Sequence, residues 1–209
     1  MQQRRPAGLV NGWPIVGLAA VAIVAAVLAA IATAPDVGEA AARSVRLTAR
    51  TSVTLFVAAF TAAALWRFWP NAWTRWQRQN RRYLGVSFAF SHAVHLAAIL
   101  WLQHVRPVEF AQQVNAITWI GGGLAYVFIA AMTATSFDRT AAMIGPRAWK
   151  VLHTVGAYYI WIIFANSYVG RALAMPEYVP AAAIVVLALA LNIAARVVRP
   201  RRAQPATAS

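Results

Sequence analysis

Six stretches of apolar residues, each near twenty long, constrain this chain more than any other feature in it: 13–34, 51–69, 83–103, 116–136, 151–169 and 179–198. About 20 such residues are enough to carry a helix across bilayer hydrocarbon. The runs are continuous and do not alternate apolar with polar, so helices, not barrel strands, must satisfy the backbone within them. The expected fold is all-α, an integral membrane bundle of six transmembrane helices. Composition agrees, with 61% hydrophobic and 11% charged residues, against roughly 25% charged in soluble domains. Residues 1–12 read as a polar leader, 13–198 as the membrane domain and 199–209 as a basic, then polar, tail. A signal peptide is the rival reading of the first run, because Ala32, Thr33 and Ala34 resemble a cleavage site. The run exceeds the ~7–15-residue core of such peptides, and its removal would leave the orientation of the other five unchanged.

Charge sets the expected orientation. With both termini cytoplasmic, the inner segments hold 14 of the 19 basic residues, and the outer segments hold four of the five acids. That obeys the positive-inside rule. A net charge of +14 could suggest nucleic acid. Here the basic residues lie in short clusters between apolar runs, which suits anionic lipid and not a nucleic-acid face. Trp66, Trp69, Trp73 and Trp76 sit where an interfacial aromatic belt belongs. The Gly121, Gly122 and Gly123 run would let helices approach closely. The chain has no cysteine, which excludes disulfides, thiol nucleophiles and iron–sulfur ligation. Lysine occurs once, at Lys150, and alanine is abundant; this usage suits a GC-rich bacterial genome and hence a bacterial inner membrane.

The chemistry resides in the histidines. His92, His95 and His104 belong to the third run and its exit, and His153 opens the fifth. An ionisable ring in hydrocarbon is costly and is a functional hypothesis by default. His92 and His95 are three apart and so share a helix face. His104 falls at the outer boundary, where a rim histidine in water is the plain reading. For His92, His95 and His153 the plain alternative is a ring hydrogen-bonded to a neighbouring helix. Imidazole also ligates haem iron. No span contains a carboxylate and the chain has no cysteine, so zinc and di-iron sites lack their usual companions. Haem b needs only one or two axial side chains and an apolar slot. Ala93, Ala97, Ala98, Gly156 and Ala157 are small enough to leave one, and no Cys-x-x-Cys-His is present for covalent attachment. The candidate haem-iron ligands are His95 and His153, with His92 in reserve.

At these residues the chain resembles the ferric-reductase-like transmembrane family, nearest to the haem-binding membrane subunits of the bacterial methionine sulfoxide reductase system. Arg81, Arg82, Leu84 and Gly85, with His95 ten residues after the glycine, are similar to the third-helix motif; Trp149, Lys150, Leu152 and His153 are similar to the start of the fifth helix. The likeness covers about 50–170. It implies six helices, haem b, and electrons passed across the membrane from a flavin or quinone source. It also implies a separate reductase or a periplasmic redox partner. The family's second fifth-helix histidine is Asn166 here. At 1.5 Å per residue from the last inner charge, His95 lies roughly 20 Å deep, His92 about 15 Å, Asn166 about 24 Å and His153 about 5 Å. A His95–His153 pair would therefore need strongly offset helices. Five-coordinate haem on His95, or a Met132–His153 site near the inner face, are the other arrangements. Arg78, Arg81 and Arg82 would hold an anionic cofactor edge or partner, or serve only as orientation signals. Two rival functions stand beside this one. A small-solute transporter would have to work without acidic residues in its spans or internal symmetry, and an accessory subunit that has lost haem would account for Asn166.

Overall fold

The computed structural model describes residues 10–114 and 116–198, and all regular structure among them is helical. In chain order the helices are α1 (Trp13–Ala32), α2 (Val37–Phe68), α3 (Ala72–Gln79), α4 (Arg81–Val105), α5 (Pro107–Gln113), α6 (Ala116–Ala134), α7 (Asp138–Ala172) and α8 (Val179–Val197), the last entered through a 3-10 turn at Pro176–Tyr178. Helices α1, α2 and α4, and α8 with its turn, are each long and apolar enough to cross a membrane. Helices α6 and α7 pass that test only as a pair, bent by 112° at the break between them, so the described residues contain four such helices, or five with the pair counted once. This is the architecture of a multi-pass membrane protein. Most of the expected leader, at 1–9, and the tail at 199–209 lie outside the described residues.

Three segments expected as connections are helical. The polar link at 35–50 is the first half of the 32-residue α2. Asp36 caps that helix by accepting a hydrogen bond from the Glu39 amide at 2.8 Å, and Glu39 pairs with Arg43 at 3.0 Å and Arg46 at 2.7 Å. The capping bond and the nearby Arg106 guanidinium hold the Asp36 carboxyl below its ordinary range. The polar residues that suggested a link are thus cap and surface pairs of a helix whose other face is small, with Ala40, Ala41, Ser44 and Thr48 buried. The basic aromatic loop at 70–82 holds α3, capped reciprocally by Asn71 and Thr74. The loop at 138–150 is helical too, broken by Gly145 at φ +74° before Pro146. A proline here restarts a helix, since its missing N–H belongs at a first turn.

Helices α1, α2, α4, α6, α7 and α8 alternate in direction. Their contacts at one end join Gly12 and Asn80, Arg82 and Asp138, and Arg67 and the Val198 carbonyl. At the opposite end Arg43 donates to the Thr33 carbonyl, Arg106 pairs with Asp36, and Tyr168 packs on Tyr178. The first of these ends carries Arg67, Arg78, Arg81, Arg82 and Arg196 and is called here the arginine-rich end. The tightest packing joins α2 to α4. Ser44, Thr48 and Ser52 on α2 and Ser87 and Ser91 on α4 are all buried, and small residues let two helices approach within the membrane. The aromatic core of Phe56, Phe88, Phe164 and Tyr168 lies beside that seam.

Candidate functional site

The polar seam contains two of the four histidines. Thr48 Oγ1 lies 2.9 Å from His95 Nδ1. The same hydroxyl donates to the Ser44 carbonyl at 2.6 Å, a bond made possible because residues four apart on a helix are stacked. The Val45 carbonyl is also within hydrogen-bond reach of the His95 ring, so α2 holds this imidazole through two groups. One turn toward the arginine-rich end, Ser91 Oγ meets Thr51 Oγ1 at 2.8 Å and Ser52 Oγ at 3.0 Å. His92 is held differently. Its ring centroid is 4.8 Å from Tyr126, 5.2 Å from His95, 5.4 Å from Phe88 and 5.8 Å from Phe164. Tyr126 donates its hydroxyl to the His92 carbonyl at 3.2 Å. His92 Nδ1 is buried with no hydrogen-bond partner among the described residues. Both rings join α4 to its neighbours, α2 through Thr48 and α6 through Tyr126.

His153 faces other surroundings. It forms part of the wall of a cavity of about 750 Å³ at the arginine-rich end, enclosed by α2, α3, α4, α6, α7 and α8. Phe56, Phe60, Phe88 and Tyr158 line its depth, and Ala63, Ala89 and Ala157 widen it. Arg67, Arg78, Arg81, Arg82 and Arg196 stand around it, with no carboxylate in the lining. Two of these arginines are braced, Arg82 by Asp138 at 2.5 Å and Arg196 over the Tyr158 ring at 4.9 Å. His153 stacks on Trp149 at 4.2 Å between centroids, and its Nε2 lies 3.0 Å from Thr135 Oγ1. Thr135 donates to the Ala131 carbonyl at 2.8 Å, so with its own proton committed it accepts from His153 Nε2–H. To bind a metal through Nε2, the ring would have to leave Thr135.

The structure therefore separates the sequence candidates. His92 and His95 lie together in the seam, beyond Phe88 and outside the cavity lining, and His153 lies in the cavity wall. His104 is exposed at the opposite end. Asn166 is also exposed, while Ile160, Phe164 and Tyr168 supply the buried face of α7. Met132 and His153 both line the cavity. However, Met132 Sδ lies 2.5 Å from where a Cβ on Gly156 would be, one turn past His153. Helices α6 and α7 are thus in direct contact there, with Met132 filling the space beside Gly156. Of the small residues expected to make room, Ala157 lines the cavity, Gly156 is covered by Met132, and Ala93 and Ala97 are exposed. Among the described residues no three His, Asp or Glu side chains come together to hold a metal ion; haem, with one or two protein ligands, needs no such group.

The hydroxyl stripe of α2 was the feature that reading the sequence missed. Ser44, Thr48 and Ser52 recur every four residues, and that period on one face is the signal that would have found it.

Fold and site together define a multi-pass helical membrane protein with a hydroxyl–imidazole seam and a cationic, aromatic-lined cavity at one end. In comparisons with family models, curated proteins and solved structures, the chain matches none.

Proposed function

We propose that this chain is a haem-b-binding electron-transfer subunit of the bacterial inner membrane, crossing it six times with both termini in the cytoplasm. The observation that carries the reading is the cavity with His153 in its wall. Its volume falls within the ~300–1,000 Å³ of cofactor and ligand pockets. Its depth is aromatic and its arginines are gathered at one end, matching a flat apolar macrocycle with two carboxylates along one edge. Arg67, Arg78, Arg81, Arg82 and Arg196 would hold that edge by charge-assisted hydrogen bonds. His153 would be the protein ligand, and bound haem would supply one-electron iron chemistry. His95, bonded to Thr48 in the seam, is the ligand to compare with it. The chain has no Gly-x-Gly-x-x-Gly loop, so electrons would come from a separate reductase, through flavin, or from quinol. The alternation of six helices and the gathering of arginines at one end support the expected topology.

The test is optical. Purified protein from cells supplied with haem precursor is expected to show a Soret band that shifts on dithionite reduction, and a pyridine haemochrome of the b type. His153→Ala should lose most of that absorbance and His95→Ala should keep it. Colourless wild-type protein would end the proposal.

A second reading has its own support. The His92 ring is closely surrounded by aromatic rings, His95 is bonded into the seam, and the expected second ligand position, Asn166, is exposed. These suit an accessory subunit without haem, which would co-purify with a stoichiometric partner and no chromophore.

A further inference from the structure

We infer that Thr135 is a positioning residue for the cavity: it holds His153 by Nε2 and has to release that nitrogen before it can bind iron. This rests on His153 as the haem ligand proposed above. Thr135 stands just past the end of α6 and does not line the cavity, so its influence on a ligand there runs through His153. Its own place is pinned on two sides. Its amide and its hydroxyl both donate to the Ala131 carbonyl, at 3.1 and 2.8 Å, and its carbonyl accepts from the Trp149 indole at 2.9 Å. The hydroxyl oxygen therefore cannot follow the imidazole if the ring moves. Trp149 lies nearly parallel to that ring, at 23° and 4.2 Å between centroids. A turn of the imidazole within its own plane keeps this stacking and gives up only the bond to Thr135.

Nε2 is the nitrogen that a flat macrocycle can reach. Nδ1 adjoins the ring carbon bearing Cβ, so a macrocycle brought up to it meets the side chain's own stem and the α7 backbone; Nε2 stands at the far end of the ring. In this structure Nε2 carries the proton and donates it to Thr135 Oγ1 at 3.0 Å. Ligation by the neutral ring exchanges that hydrogen bond for a bond to iron, and the proton passes through solvent to Nδ1. A neutral interhelical hydrogen bond is worth about three- to tenfold in an equilibrium constant. Because only the released ring is competent to bind, Thr135 lowers the apparent affinity by about that factor.

The test uses the full chain in detergent, prepared without haem precursor and with isotope-labelled histidine. Wild type is expected to show a slowly exchanging ring N–H proton by NMR, assigned to His153 by its loss in His153→Gln, and Thr135→Val should lose the same signal. Titrated with haem and read by Soret absorbance, Thr135→Val should bind about three- to tenfold more tightly than wild type. Thr135→Ser, which keeps the hydroxyl, should match wild type in both measurements. A merely structural role would make Thr135→Val bind haem more weakly. Weaker or equal binding by Thr135→Val would overturn the inference, and so would a wild type without the ring proton. If no variant binds haem and the ring proton still depends on Thr135, the electron-transfer reading falls and the hold of Thr135 on Nε2 stands.

Discussion

Thr48 shows how much a single hydroxyl can decide inside a membrane bundle. Its oxygen accepts from His95 across the α2–α4 interface and its proton goes to the Ser44 carbonyl. The residue fixes the position of the imidazole against α2. Interhelical hydrogen bonds in membranes contribute only about 0.6–2 kcal/mol. Thr48→Val keeps the shape and removes the oxygen, so it should destabilise the protein by about 1 kcal/mol, with Thr48→Ser close to wild type. Unfolding of the detergent-solubilised protein by SDS titration would measure this. If Thr48→Val left stability unchanged, the bond would be structurally idle. His95 was visible in the sequence as an unexpected ring in an apolar run. Its partner was not, because threonine in a membrane helix draws no attention until the facing helix is known.

At the scale of elements, the pairing of α6 with α7 depends on how closely Gly156 admits Met132. A Cβ at Gly156 would stand 2.5 Å from Met132 Sδ and 3.1 Å from Phe128 Cδ1. Gly156→Ala should therefore cost about 1–3 kcal/mol from overpacking, less whatever the flexible thioether recovers by moving. Met132→Ala added to it should restore part of the loss, a coupling that a double-mutant cycle reads directly. Strict additivity would place the contact elsewhere. The glycine was legible in the sequence as a small residue leaving room. That the room beside Gly156 is filled by methionine follows from the register of two helices. Helix α2 teaches the same lesson from the other direction. Its polar first half looked like a link until Asp36, Glu39, Arg43 and Arg46 were seen as cap and surface pairs around a buried stripe of small residues.

The molecule as a whole is polarised by charge. Arg67, Arg78, Arg81, Arg82 and Arg196 gather at one end of the bundle; Asp36, Glu39 and Glu109 lie at the other with Arg43, Arg46 and Arg106. The absence of native cysteine makes orientation directly measurable. Glu109→Cys should react with a membrane-impermeant maleimide in intact cells, and Gln79→Cys only after lysis. The reverse pattern would invert the topology, and labelling of both in intact cells would remove it.

What the residues determined by themselves is the solvent: runs of about twenty mostly apolar side chains, charged at most near an end, belong in a bilayer, and inside it a backbone must be helical. The bias of arginine toward alternate connections was equally local, because it is a property of short segments. The tertiary structure alone decided which imidazole stands at a cavity and which is bonded into a seam. Rotation and offset between helices are set by packing among side chains far apart in the chain. His95 and His153 are alike as letters in apolar runs; Thr48, 47 residues before one, and Thr135, 18 before the other, give them different neighbours and so different chemistry.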